Sequence, residues 1–368
     1  MYLSKLTLCN FKNYSDLQVN FNEKINCFVG YNGAGKTNLL DSIYYLSFCK
    51  SFFNPADTQN IKHTSDFFAI HGVFHKNHTI TDTVSCIQKR NSRKQIKINQ
   101  KEYERFSDHI GLFPVVMISP YDKDMINNGS EERRRYFDTV ISQFDKHYLE
   151  TLISYNKALL QRNTLLKKMA ETHKYNNSEI EIWDEQLITL GGKIYDKRKA
   201  FLNEFISIFQ YYFSVISENN ETVALEYDSQ LNGSTFRELI VASLKKDIIF
   251  QYSTAGIHKD DMNFLIEGYP VKKFGSQGQQ KSYVVAMKLA QFEFTKNKTG
   301  FKPILLLDDI FDKLDDKRVE QIIKLISDDC FGQVFITDTQ RERVEKIFIT
   351  SRSEHEIFEI ENASLTVG

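Results

Sequence analysis

Gly30-Tyr31-Asn32-Gly33-Ala34-Gly35-Lys36-Thr37 decides the reading of this chain. The stretch follows an apolar run, Ile25 to Val29, that reads as a strand. It opens a helical pattern from Lys36 to about Leu46. Strand, Gly-rich turn and helix together make a P-loop. Glycines let the backbone curl so that consecutive N–H groups converge on phosphate oxygens. The helix N-terminus adds partial positive charge under the same anion. Lys36 is placed to reach the β- and γ-phosphates, and the Thr37 hydroxyl to meet Mg²⁺.

Downstream, Ile304-Leu305-Leu306-Leu307-Asp308-Asp309 ends a buried strand in two carboxylates, a Walker B pattern. Such a strand delivers Asp308 toward the phosphates as a metal-binding group and Asp309 as the group that orients water. Two adjacent carboxylates repel unless a cation sits between them, which itself argues for the metal. Ser276-Gln277-Gly278-Gln279-Gln280-Lys281 precedes a helix expected over Ser282 to Thr295, and offers a second anion-binding helix end. One triphosphate is already held by the P-loop, so this second end is read as meeting the γ-phosphate bound by a partner subunit. Asp312 to Asp315 is a further candidate for that contact.

The chain has 368 residues, 41% of them hydrophobic, enough for two domains or one large domain with an insertion. Its 47 basic and 48 acidic residues nearly cancel, so a nucleic-acid surface would have to be a local patch. One such block is Lys89, Arg90, Arg93, Lys94, Lys97 and Lys101, read as a solvated face or a DNA-backbone contact. Cys9, Cys27, Cys49, Cys86 and Cys330 are scattered and form no C-x-x-C pair, which suggests neither zinc nor a disulfide frame. No stretch reads as a secretion signal or a membrane span, and a soluble, cytoplasmic protein is expected.

Alternating patterns predict strands at Tyr2–Cys9, Leu17–Phe21, Phe67–Phe74, Thr79–Ile87 and Lys94–Ile98, with Asn99-Gln100 as a hairpin turn. From about 130 to 215 helical spacing dominates. Ser130 is the expected N-cap, Leu149, Leu152, Ile153, Asn156, Leu159 and Leu160 form one expected apolar face, and Ile180, Trp183, Leu187, Leu190, Ile194, Phe201, Phe205 and Ile208 form another. Thr172 to Ser178 reads as the tip between two long helices. His258 reads as structural, since no Cys or His set accompanies it. Arg133 to Arg135 open a helix where the dipole disfavours cations, which points to a phosphate or an acidic surface as partner. Glu356–Ile360 is expected as an edge strand.

Taken together, Asn10 to Tyr14, Gly30 to Asn38, Ser130 to Asp138, His258 to Asp261, Ser276 to Lys281 and Leu307 to Asp315 resemble the RecF family, over nearly the whole chain. The resemblance implies an α/β fold: an ABC-type P-loop ATPase head, with a mixed sheet and an antiparallel β subdomain, made of residues 1–129 and 251–368, plus a mainly helical insertion domain over 130–250. It implies ATP and Mg²⁺ as cofactors, with Gly30, Tyr31, Asn32, Gly33, Ala34, Gly35, Lys36, Thr37 and Asn38 on the nucleotide. Ser276, Gln277 and Gly278 would meet it in trans, Thr37 and Asp308 would meet the metal, and Lys36 and Asp309 would be catalytic. It further implies an ATP-dependent homodimer, sequence-independent DNA binding at gaps or junctions, slow hydrolysis, and cooperation with RecR and RecO in loading RecA. Asp309 stands where many ABC-type ATPases carry Glu, and Thr337-Asp338-Thr339 lacks the histidine of transporter ATPases; both departures suit a switch. Ser119 to Asp122 occupies the place of the Mg²⁺-contacting loop. The rival readings are the ATPase subunit of a membrane transporter and a small-molecule kinase.

Overall fold

The computed structural model describes residues 1–76, 79–173, 177–310, 316–327, 331–342, 345 and 354–367. The strands and helices in chain order begin with β1 (Tyr2–Phe11), β2 (Tyr14–Asn20), β3 (Ile25–Val29) and α1 (Lys36–Phe48). There follow β4 (Phe67–His75), β5 (Thr81–Lys89), β6 (Gln95–Ile98), β7 (Lys101–Glu102) and β8 (Val115–Ile118). A helical stretch comes next: α2 (Asp124–Asn127), α3 (Ser130–Ser142), α4 (Lys146–Thr172) and α5 (Asn177–Ile216). Then come β9 (Val223–Asp228), α6 (Phe236–Phe250), β10 (Asp261–Ile266), β11 (Tyr269–Pro270), α7 (Val271–Phe274) and α8 (Gln277–Thr299). The chain closes with β12 (Ile304–Asp308), α9 (Asp316–Ser327), β13 (Val334–Asp338), β14 (His355–Glu361) and β15 (Ser364–Val367).

Two compact units result: Met1–Asp122 with Val215–Glu218 and Lys281–Gly368, and Lys123–Ser214 with Asn219–Gln280. The first contains two sheets. One runs β15-β14-β3-β13-β12-β8, with β14, β3, β13, β12 and β8 all parallel. Strands β3, β8, β12 and β13 are buried at every position, as a parallel sheet covered on both faces requires. The other sheet, β2-β1-β4-β5-β6-β7, is antiparallel throughout, and β5 alternates buried with more exposed positions along its length. Helix α1 touches strands of both sheets and buries eleven residues, so it has no polar face to spare for solvent. Leu39, Leu40, Ile43 and Tyr45 of α1 share one core with Leu6 and Phe74 of the antiparallel sheet and Leu306 and Phe335 of the parallel one.

Asn99 and Gln100 both have positive φ, the backbone of a two-residue hairpin turn, as their sequence predicts. β14 is not the expected edge strand. The Asn362-Ala363 turn, again with both φ positive, returns the chain as β15, which takes the edge. The second unit does not stop near 250 but runs to Gln280, because β10 pairs with β9 and β11 with β10.

Inside this unit α4 buries a different face from the one expected. On α4 the buried positions are Tyr148, Thr151, Tyr155, Ala158, Arg162, Leu166 and Met169, while Ile153 and Leu160 are 51% and 63% exposed. The spacing alternates three and four as in any packed helix, but the stripe is carried by tyrosines and an arginine rather than by the leucines. Arg162 is buried because two carboxylates meet it, Asp184 at 2.6 Å and Asp247 at 2.6 Å, with Ser253 Oγ at 2.8 Å. On α5, Ile180, Leu187, Ile194, Phe201 and Phe205 are buried as expected, and Arg198 is buried among them. Arg198 binds Asp138 at 2.9 and 3.0 Å and Asp260 at 3.1 Å. The helix continues unbroken through Gly191, where a Cβ would lie 2.1 Å from the Phe236 ring; the glycine lets α6 approach. Ser130 is the first residue of α3 and not its cap: Gly129 holds the cap position, without a side-chain hydrogen bond.

His258 closes this unit from within. Its Nε2 lies 3.0 Å from the Ser253 carbonyl, which can only accept, so Nε2 carries the proton and Nδ1 accepts from the Tyr155 hydroxyl at 2.8 Å. Burial pushes its pKa down from 6.5 to about 4. As pH falls the unfolded chain therefore takes up this proton first, and stability is lost between about 6.5 and 4, by ~3 kcal/mol. Urea unfolding followed through Trp183, the single tryptophan, should show about 2 kcal/mol of that loss at pH 5 relative to pH ~7, and His258→Gln should flatten it. An equally steep loss in the variant would assign it to other groups.

Candidate functional site

The loop 30–35 leaves the C-terminal end of β3, and Asp308 ends β12. β13 lies between those strands. Its Thr337 anchors the end of β12: Thr337 Oγ1 donates to Asp308 Oδ1 at 2.9 Å and accepts the Asp309 N–H at 3.0 Å. From the other side, Thr37 Oγ1 lies 2.9 and 3.1 Å from the two Asp308 oxygens. The first turn of α1 and the ends of three strands thus converge on one carboxylate. Burial pushes the Asp308 pKa up, and the Thr37 and Thr337 hydroxyls work against that rise. Asp309 takes a left-handed backbone (φ 48°), which Asp tolerates better than most residues and which turns its chain direction away from β12.

Lys36 is buried, and its ammonium donates to the carbonyls of Gly30 at 2.6 Å and Tyr31 at 3.0 Å. Burial lowers its pKa, while Asp309, Asp308 and Asp338 pull it the other way. The lysine stem is therefore held along the loop, with its charge at the loop's mouth. Tyr31, Asn32 and Gly33 are exposed, Tyr31 by 86%. Asn38 Nδ2 donates to Asn13 Oδ1 at 2.8 Å, Asn13 Nδ2 to the Ala34 carbonyl at 3.2 Å, and the Tyr14 hydroxyl to the Gly35 carbonyl at 3.1 Å. The β1–β2 hairpin is thus a strut under the loop. Asn10 to Tyr14 is one of the stretches that carry the family resemblance, but no spacing assigns Asn13 and Tyr14 to the underside of the loop. Ala363, on the far hairpin, donates its N–H to the Ala34 carbonyl at 3.2 Å, a contact no sequence spacing announced.

Lys12 is not free to reach a ligand as a bare cation: its ammonium sits 2.6 Å from the fully buried Asp41 and over the Phe53 ring. It lines, with Asn13, Thr37, Asn38, Phe53 and Tyr121, a cleft of about 440 Å³ beside the loop. In the segment 119–122, Asp122 accepts the Ser119 N–H at 2.7 Å and pairs with Lys288 at 2.8 Å, so it caps a turn.

The donor set fits the groups the motifs imply. Gly35, at φ 120°, has no room for a Cβ, which would lie 2.6 Å from Asn13 Nδ2, so the bare backbone lets the β1–β2 hairpin close under the loop. The hydroxyl of Thr37 and the carboxylate of Asp308 are hard oxygen donors of the kind Mg²⁺ takes. Among the described residues no cluster of three His, Cys, Asp or Glu side chains could hold a metal alone.

Ser276 and Gln277 are exposed, and α8 starts at Gln277, five residues earlier than expected. The Ser276 hydroxyl accepts from Gln279 N–H at 3.2 Å, and Gln279 Oε1 accepts from Ser276 N–H at 2.7 Å, a reciprocal capping box. Gly278 sits in that first turn with nothing within 4 Å of where a Cβ would be. Asp312 to Asp315 lie outside the described residues. Arg133 and Arg134 find their acidic partners at home: Arg133 binds both Asp261 oxygens at 2.6 and 2.9 Å, and Arg134 binds the Asp260 carbonyl. The basic block is partly spent as well, since Lys94 pairs with Asp57 at 2.6 Å.

The sequence matches the RecF/RecN/SMC N terminal domain over residues 2–362. It is 49% identical over 365 residues to the DNA replication and repair protein RecF of Bacteroides fragilis (strain YCH46), covering 99% of this chain and 98% of that one. It is 49% identical to the protein of the same name from Flavobacterium johnsoniae over 98% of this chain and 100% of that one. The chain belongs to the RecF family. Among solved structures, the recombination mediator protein RecF-ATP in the RecFOR pathway superposes with a TM-score of 0.89 at 31% identity, covering 100% of this chain and 97% of that one. An Smc head bound to part of ScpA gives 0.59 at 14% identity, covering 100% of this chain and 97% of that one, a likeness of fold alone. The fold is thus that of an ABC-type ATPase head, as the family resemblance implies.

Replacing Gly35 by Ala should lower thermal stability by ~1–3 kcal/mol, through the left-handed φ and the clash with Asn13. Gly33→Ala, with open space around it, should cost clearly less; equal losses by differential scanning calorimetry would contradict the strut.

Proposed function

We propose that this chain is an ATP-gated DNA-binding protein of recombinational repair. It binds ATP at the P-loop, dimerises on it, and holds DNA at gaps or single-strand/double-strand junctions. The observation that carries the reading is the convergence of Thr37 and Asp308, 2.9 Å apart, beside a Gly-rich loop along which the Lys36 ammonium is held. The family relation supports it, because a RecF protein of the same fold has been solved with ATP.

In this reading the loop N–H groups of 30–35 and the Lys36 ammonium bind the phosphates. Thr37 and Asp308 would hold Mg²⁺, which supplies charge neutralisation when bound. Thr337 keeps the Asp308 carboxylate turned toward Thr37. Asp309 orients the attacking water, and its short side chain suits slow turnover. The exposed α8 start, Ser276 to Gly278, is the surface offered to the nucleotide of a second copy. The helix N-terminus and the small Gly278 suit a phosphate, and the hydroxyl of Ser276 is reoriented at little cost from its cap. The first compact unit then serves as the ATPase head and the second as the insertion that carries this surface. RecR and RecO are the expected partners in helping to load RecA.

Sedimentation tests the gate. Lys36→Ala should abolish ATP-dependent dimers, and unchanged dimerisation would discredit the nucleotide's role. Ser276→Arg should leave ATP binding within about twofold and block pairing; loss of nucleotide binding there would count against action in trans.

A further inference from the structure

The second unit carries an exposed aromatic pair ringed by lysines that the nucleotide site does not use. Phe250 ends α6 and Tyr252 follows it; they are 49% and 44% exposed, with ring centroids 5.9 Å apart and a 31° tilt. The Lys259 ammonium lies 4.9 Å from the Tyr252 ring centre, and the Lys246 ammonium 5.9 Å from that of Phe250. Lys245, Lys246 and Lys259 are exposed. The carboxylates nearest them in sequence are turned inward: Asp247 to Arg162, Asp260 to Arg198 and Asp261 to Arg133. What remains outside is therefore positive, although the chain as a whole carries a formal charge of −1. Burial lowers the Lys259 pKa, Arg134 and Lys246 lower it further, and Asp247 works against them. The C-terminal end of α6 contributes only about half a negative charge, which three ammonium groups outweigh. Val241 and Ile249, 71% and 77% exposed, lie four residues either side of Lys245 and extend the same helix face.

Exposed aromatic rings interleaved with cations are the two components of a platform for unpaired nucleotides. Each base stacks on a ring whatever its identity, and the phosphates between bases meet ammonium groups. A duplex offers no such base faces, because its bases are already stacked on each other. An acidic protein would use the lysines but leave the rings without a matched partner.

We propose that Phe250 and Tyr252, with Lys246 and Lys259, bind single-stranded DNA by base stacking. This site rests on the DNA-binding reading above and adds to it the strand that the insertion would hold. It is tested by fluorescence anisotropy on the full chain, with labelled oligothymidylate and labelled duplex as separate probes, with and without ATP. Phe250→Ala/Tyr252→Ala should weaken oligothymidylate binding about thirtyfold or more while ATP-dependent duplex binding persists. Phe250→Tyr/Tyr252→Phe should retain it. Lys246→Ala/Lys259→Ala should reduce the slope of log affinity against log salt by about 1.4 on the single strand. Unchanged oligothymidylate binding in the Ala variants, with duplex binding intact, overturns the platform and leaves the DNA-binding reading standing. Equal loss of both probes also overturns it, since stacking on unpaired bases would not be what the rings do. A wild-type chain that binds neither probe with ATP removes the DNA-binding reading itself, and the platform with it.

Discussion

One carboxylate fixes the architecture of the first compact unit. Asp308 is buried at the end of β12, yet it accepts hydrogen bonds from a helix start and a neighbouring strand, through Thr37 and Thr337. A buried carboxylate without such donors would cost several kcal/mol. Two hydroxyls supply the donors, and both must come from elements brought to the same edge of the sheet. The order β3-β13-β12 is what makes that geometry available: the P-loop strand and the Walker B strand are separated by one strand, whose Thr337 holds the Asp308 carboxylate that Thr37 meets from the P-loop side. The antiparallel sheet and the β1–β2 hairpin then serve to brace the loop from behind, through Asn13, Tyr14 and the Lys12–Asp41 pair.

The second unit is held by a different physics. Two arginines, Arg162 and Arg198, are buried in the seams of long helices, and each is met by two carboxylates. Such pairs add little net stability over an apolar packing, but they are costly to break and tolerate few registers. A helix as long as α5, 40 residues, has many near-equivalent packing registers if its seam is only apolar. A guanidinium that must find Asp138 and Asp260 selects one of them. The same need for partners docks Arg133 on the Asp261 carboxylate and Arg134 on the Asp260 carbonyl.

The parts legible in the sequence were those with local causes. The P-loop strand, its helix and Walker B appear where their patterns put them, because Gly spacing and four successive apolar residues act within a few residues of themselves. The Asn99-Gln100 turn is legible for the same reason. Long-range causes were not legible. The buried face of α4 was misassigned because burial there follows the partners of Arg162 and the tyrosines and not hydropathy. The earlier start of α8 depends on the Ser276–Gln279 exchange, an S-x-x-Q cap that starts the helix among polar residues where no apolar period marks it. Thr337 carries no motif, and its role exists only because three strands end side by side.

If each copy brings half of a nucleotide site, defects in the two halves must complement. Lys36→Ala chains retain the α8 surface, and Ser276→Arg chains retain the P-loop. Mixed together with ATP, the two variants should form dimers held by one complete site, though neither pairs alone, as sedimentation equilibrium with differently labelled chains would read. A mixture that stays as monomeric as its components, in the presence of wild-type chains that do pair, would contradict the shared site.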